Sequence, residues 1–96
     1  MSESFTRFDA AKYLKTPFEM AAHLDACFEE DAGDGLLIRT ALNDIARAQG
    51  MTQVARDAGL GRESLYKALS STGNPEFATI IKVMKALGLK LHVSPA

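Results

Sequence analysis

The six residues Arg62-Glu63-Ser64-Leu65-Tyr66-Lys67 set an arginine, a serine, a tyrosine and a lysine around one leucine. On a helix the leucine turns inward and the polar side chains turn outward together. An arginine fork can take the O6 and N7 edge of guanine with two parallel hydrogen bonds. Arg62, Ser64, Tyr66 and Lys67 are therefore candidates to face a DNA major groove, with Glu63 beside them tuning the local charge. Thr52, Gln53 and the backbone amides around Asn74 stand at expected helix starts. There, unpaired N–H groups and the positive end of the helix dipole favour phosphate.

The elements that must hold these residues lie within MTQVARDAGLGRESLYKALS, residues 51–70. The pattern predicts a helix from Gln53 to Ala58, a turn at Gly59-Leu60-Gly61 and a second helix from Arg62 to Ser70, a helix-turn-helix. Val54, Ala55, Ala58, Leu60, Leu65, Ala68 and Leu69 are small or apolar and fit the crossing of two helices, with Ala55 at its closest point. Gly59 falls where a left-handed residue would end the first helix. An ordinary helical hairpin with a solvated charged face gives the same pattern, so charge and context must separate the two.

The chain of 96 residues is one domain's length, and 47% hydrophobic with 24% charged residues is a globular composition rather than a disordered one. The net charge of −1 hides a division. Residues 1–46 carry four bases against nine acids, a net of −5, and residues 47–96 carry seven bases against three acids, a net of +4. A basic half suits a phosphate backbone, and an acidic half would turn from DNA toward a basic partner. Chance segregation in a small chain is the competing account. No apolar run approaches a membrane span and no secretory leader pattern is visible, so the expectation is a cytoplasmic protein without a membrane partner.

From the amino end, Ser4 to Phe8 reads as loop or extended chain, and Asp9 as the cap of a short helix, Ala10 to Lys15. Thr16-Pro17-Phe18-Glu19 is a capping box with proline at the first helical position. Met20, Ala21, Leu24, Cys27 and Phe28 form the apolar stripe that follows; His23 lies off it, at the surface. Asp34 is the expected cap of the next helix, running to about Gln49, with Leu37, Ile38, Ala41, Leu42 and Ile45 inward. Gly50 stops it, and Thr52 caps the first helix of the motif. Asn74 then caps a helix from Pro75 to Leu87 whose inward residues are Phe77, Ile80, Ile81, Met84 and Leu87, and Gly88 ends it. Leu89 to Val93 alternates strictly and predicts a strand, which must pair with the Phe5 region or with a second copy. The expected architecture is one all-α domain of five to six helices with a short C-terminal β-strand: helices over 1–49, the motif over 51–70, a helix over 74–88 and the strand over 89–93.

Enzymatic chemistry finds no foothold. There is no glycine-rich phosphate loop, no paired metal-ligand spacing and no supported Ser, His and acid trio, so no catalytic residue, metal or cofactor is expected. The lone cysteine, Cys27, reads as a buried small hydrophobe, and Glu29-Glu30-Asp31 as a solvated helix end.

Residues 50–91, GMTQVARDAGLGRESLYKALSSTGNPEFATIIKVMKALGLKL, resemble the addiction-module antidote proteins with a lambda-repressor-like helix-turn-helix. The resemblance extends back through FDAAKYL and the helix ending in LNDIARAQG. It implies a homodimer that binds double-stranded operator DNA, represses its own operon and neutralises a small cognate toxin. Two departures from the wider repressor pattern stand out. Gln53 and Ala55 are two residues apart rather than four, and Gly61 occupies a position where a serine or threonine cap is common. A stand-alone repressor without a toxin partner is the first alternative, and an interaction module using the fold as scaffold is the second.

Overall fold

A computed structural model describes residues 14–96. Five helices make up its regular structure: α1 (Pro17–Glu30), α2 (Leu36–Gln49), α3 (Met51–Ala58), α4 (Arg62–Ala68) and α5 (Phe77–Ala86). α1 packs on α2, α2 on α3, and α3 on both α4 and α5. The expected elements before Leu14, including most of the Ala10 to Lys15 helix, lie outside the described residues. Leu14 and Lys15 form a turn, with Leu14 buried and its carbonyl accepting from Gln49 Nε2 at 3.1 Å.

α1 begins as its sequence dictates. Thr16 Oγ1 accepts from the Glu19 N–H, and the Glu19 carboxylate accepts from the Thr16 N–H at 3.0 Å. Met20 and Leu24 are buried, whereas Ala21 is exposed and Phe28 stands half in solvent. The expected stripe thus splits: among the described residues α1 packs chiefly on α2, along one side. Burial, then the carboxylates of Glu30, Asp44 and Asp31, push the Cys27 thiol up. That leaves Cys27 a packing residue rather than a nucleophile. His23 is not the surface residue its position off the stripe suggested. It is half-buried, with Nε2 at 3.9 Å from the buried Asp44 carboxylate, which Arg47 approaches to 3.8 Å from the other side.

Asp34 is not the cap of α2: Gly35, with φ 80°, takes that position without a side-chain cap, and two acids bond the amides around it. Asp34 Oδ1 accepts from Leu36 N–H at 3.0 Å, while Asp31 accepts from the amides of Gly33, Gly35 and Leu37 at 2.8–2.9 Å. Those amide donors, Gly35 first, hold the Asp31 carboxyl below its ordinary value. Inside α2, Ala41, Leu42, Ile45 and Ala46 are buried, and Leu37 stays partly exposed.

One residue, Gly50, closes α2 and opens α3: its N–H donates to Ala46 O at 2.8 Å and its carbonyl accepts from Val54 at 3.0 Å. Thr52 is therefore not the cap. It lies within the first turn of α3, with no side-chain cap present, and the buried Met51 is the first helical residue. The first helix of the motif starts two residues earlier than expected for that reason. Asn74 is likewise not a cap. Pro75 tucks beside Leu60, Ala68 and Thr79, the chain runs extended to Glu76, and α5 begins at Phe77 with Glu76 as its cap. Phe77 consequently points outward, and Val83, Met84 and Leu87 carry the buried face.

No strand occurs among the described residues. Leu89 to Val93 is irregular, which corrects the expected C-terminal strand: its only neighbour in the described part is the groove beside α1, which offers no backbone edge to pair with. The helical core is closed by Leu42 and Ile45 of α2, Leu65 of α4 and Val83 of α5, all fully buried. Burying each such side chain is worth about 1.5–3 kcal/mol. Between α4 and α5 the turn closes so tightly that a Cβ at Gly73 would collide with the carbonyl oxygens of Lys67 and Ala68.

Two stability measurements test this description. Gly73→Ala should cost about 1–3 kcal/mol in chemical denaturation, since backbone cannot move aside as a side chain can. Asp31→Ala should lower the melting temperature at neutral pH. The folded-state pKa of Asp31 is depressed, so its contribution is present above the unfolded carboxylate value of about 3.9 and lost as pH falls through the folded value. The gap between wild type and variant should narrow through that acidic window; a gap constant with pH would contradict the assignment.

Candidate nucleic-acid interface

α4 has seven residues and would not hold a helix alone. Its apolar side does so: Leu65 is fully buried, and Ala68 and Leu69 are buried behind it. The corner before it is equally determined. Gly59 has φ 72°, its N–H donates to Arg56 O at 3.1 Å, and the Leu60 N–H donates to Ala55 O at 2.9 Å. This double bond pattern around a left-handed residue is a Schellman close, and any side chain at Gly59 would strain it. Gly61 is the cap of α4, with no side-chain cap hydrogen bond, as the missing serine or threonine implied.

With Leu65 inward, Arg62, Glu63, Ser64, Tyr66 and Lys67 all stand exposed. Arg62 is held along the helix rather than left free. Its Nη2 donates to the Tyr66 hydroxyl at 3.3 Å, and its guanidinium carbon lies 5.4 Å from the Tyr66 ring centroid. A cation over an aromatic face at (i, i+4) spacing reduces the conformations that the arginine must lose on binding. Most of the five N–H donors of the fork stay unused.

Ser64 and Lys67 open on the other side of α4 into a groove of about 330 Å³, which Asn74 and Pro75 close from across the turn. The structure thus brings Ser64, Lys67 and Asn74 together and sets the Arg62–Tyr66 pair next to them on the same helix. Gln53 sits on α3, exposed, with Nε2 donating to Asp57 Oδ1 at 2.8 Å; its carbonyl oxygen remains open. The residue four before Ala55, where the wider pattern has glutamine, is the buried Met51. Thr52 is exposed in the first turn of α3, beside the amides that the absent cap leaves open.

Arg39 is a contributor that the sequence pattern did not single out. From α2 its Nε donates to Ser70 O and its Nη2 to Ser71 O, each at 3.3 Å, while Nη1 reaches Asp34 O at 3.3 Å. It binds the carbonyls that follow α4 and so ties the carboxyl end of that helix to the α1–α2 connection. The sequence signal was slight: one of four bases set among the nine acids of residues 1–46.

Among the described residues no helix is long and apolar enough to cross a membrane. A protein of Haemophilus influenzae described only as uncharacterized is 53% identical over 93 residues, 97% of this chain and 94% of its own length. No solved structure matches this chain. The family described as probable addiction module antidote protein matches residues 4–95, nearly the whole sequence. With the α3–α4 corner inside that span, the chain belongs to the family of probable addiction module antidote proteins.

Proposed function

We propose that this antidote-family chain is an antitoxin that binds operator DNA as a homodimer through the outer face of α4, represses its own operon and neutralises a small cognate toxin. The observation that carries the DNA-binding part is the complete burial of Leu65, which sets the rotation of α4 and leaves Arg62, Ser64, Tyr66 and Lys67 in solvent on one short helix. Family membership and the acidic first half of the chain carry the toxin part.

In this reading α4 enters the major groove and Arg62 reads guanine, its fork steadied by Tyr66. Ser64 and Lys67 flank it, with Asn74 reaching the adjoining backbone. Glu63 disfavours acceptor-rich base edges at its own position and so adds selectivity. Thr52, Gln53 and the open amides at the start of α3 hold a phosphate, which fixes register without reading sequence. Two chains present two α4 helices about one turn of the duplex apart, roughly 34 Å.

A gel-shift titration on the promoter DNA upstream of this gene, run at several salt concentrations, tests the reading. Arg62→Ala should cost about 1–3 kcal/mol on the specific site and relax base preference there. Lys67→Ala should weaken binding to all sequences alike and lower the salt slope by about 1. Wild-type protein that binds no promoter DNA at low salt would overturn the DNA-binding half. Co-expression with the adjacent small reading frame tests the other half, with growth arrest relieved by this chain as the expected result.

A further inference from the structure

Three backbone carbonyls converge on the Arg39 guanidinium: Nε takes Ser70 O, Nη2 takes Ser71 O and Nη1 takes Asp34 O, each at 3.3 Å. The first two belong to the turn that leads from the end of α4 to Asn74. That turn has no buried side chain of its own, since Ser71, Thr72 and Asn74 are exposed and Ser70 and Gly73 half-buried. Hydrogen bonds shape it instead. The Ser70 hydroxyl donates to Lys67 O at 2.9 Å, and the Gly73 N–H donates to Ser70 O at 3.1 Å, the same oxygen that Arg39 Nε reaches. Lys67, the turn and Asn74 are thus joined through consecutive bonds, and Arg39 braces them from α2. The rotation of α4 is already fixed by the buried Leu65, Ala68 and Leu69. Arg39 therefore bears on where the chain goes after α4, not on how α4 is turned.

We propose that Arg39 is a positioning residue for DNA binding: it holds the turn after α4 so that Asn74 stands across the 330 Å³ groove from Lys67 and meets the backbone that Lys67 meets. The inference rests on the DNA-binding reading of α4 and adds to it a residue that acts through Asn74 without touching the duplex. Nε and both terminal nitrogens are engaged on carbonyls, which leaves little of the fork for a phosphate. A planar fork suits this task, because its donors are fixed relative to one another and serve three separate carbonyls at once. The single ammonium of a lysine does not replace it. An Asn74 already held in place loses less freedom when it binds, so the brace appears as affinity.

Gel shifts of the full chain on the promoter DNA upstream of this gene, at several salt concentrations and below the melting temperature of every variant, test the role. Arg39→Lys keeps the charge and removes the fork; it should weaken binding about tenfold, the scale of one hydrogen bond to a charged group. Arg39→Gln should weaken it as much and leave the salt slope unchanged, since no phosphate contact is lost. Joined to Asn74→Ala, Arg39→Lys should weaken binding no further than the worse single change, because both remove the same contact. In the free protein, the Gly73 amide of Arg39→Lys should exchange with solvent faster while the Leu69 amide keeps its rate. That readout needs no DNA and stands even where Arg39→Gln fails to fold. Full affinity in Arg39→Lys would overturn the proposal, since charge alone would then suffice. So would a salt slope lowered by about 1 in Arg39→Gln, the mark of a direct phosphate contact. Losses that simply multiply in the double variant, or a lower melting temperature with affinity intact, would overturn it too, the latter by reducing Arg39 to a structural role. Each of these results leaves the proposed function standing. Wild-type protein that binds no promoter DNA would overturn the proposed function itself, and this role with it, before any variant is made.

Discussion

Leu65 is out of contact with water, and the direction in which α4 presents its polar side chains follows from that burial. α4 is too short to orient itself, so its rotation is decided by what Leu65, Ala68 and Leu69 pack against. That support is α3, which contacts α2, α4 and α5. α3 manages three neighbours within eight residues because its buried positions, Met51, Val54, Ala55 and Ala58, include two alanines that allow close approach. A larger residue at Ala55 would displace α4 and turn its outer face. The left-handed close at Gly59 sets the angle at which the chain leaves α3, and Leu60 folds back over the corner into the edge of the core.

The first half of the chain takes part through α2, which packs on α3, and through Arg39. Arg39 reaches from α2 to the carbonyls of Ser70 and Ser71, so the far end of α4 is anchored as well as its near end. The same guanidinium touches Asp34 O, in the connection whose amides surround Asp31. Arg39 thus links the α1–α2 connection to the end of α4. Acids are concentrated before residue 47 and bases after it, the division on which the proposed function draws.

Much of this was legible before any coordinates. The capping box at Thr16 and Glu19, the glycine corner at Gly59, the inward Leu65 and the outward polar set on α4 follow from spacing and residue type, because each rests on interactions within a few residues. The misses were of a different kind. Thr52 and Asn74 look like caps, yet tertiary packing chose otherwise: Met51 is drawn into the core one residue ahead of Thr52, and Pro75 packs beside α4 rather than starting α5. Local signals cannot weigh such distant contacts. The alternation of Leu89 to Val93 signals pairing, but alternation alone does not supply a partner strand, and none occurs among the described residues. The reach of Arg39 was invisible because its acceptors are backbone carbonyls, which every residue carries.

The central claim is that α4 is a DNA-reading face held in place by Leu65. The most direct test is a backbone amide NMR titration of the folded protein with its own promoter duplex. The account predicts perturbations concentrated at residues 62–67, with weaker ones near Thr52, Gln53 and Asn74, and an unchanged environment along α1. Perturbations centred on α1, or none on α4 under conditions where the duplex is bound, would contradict it.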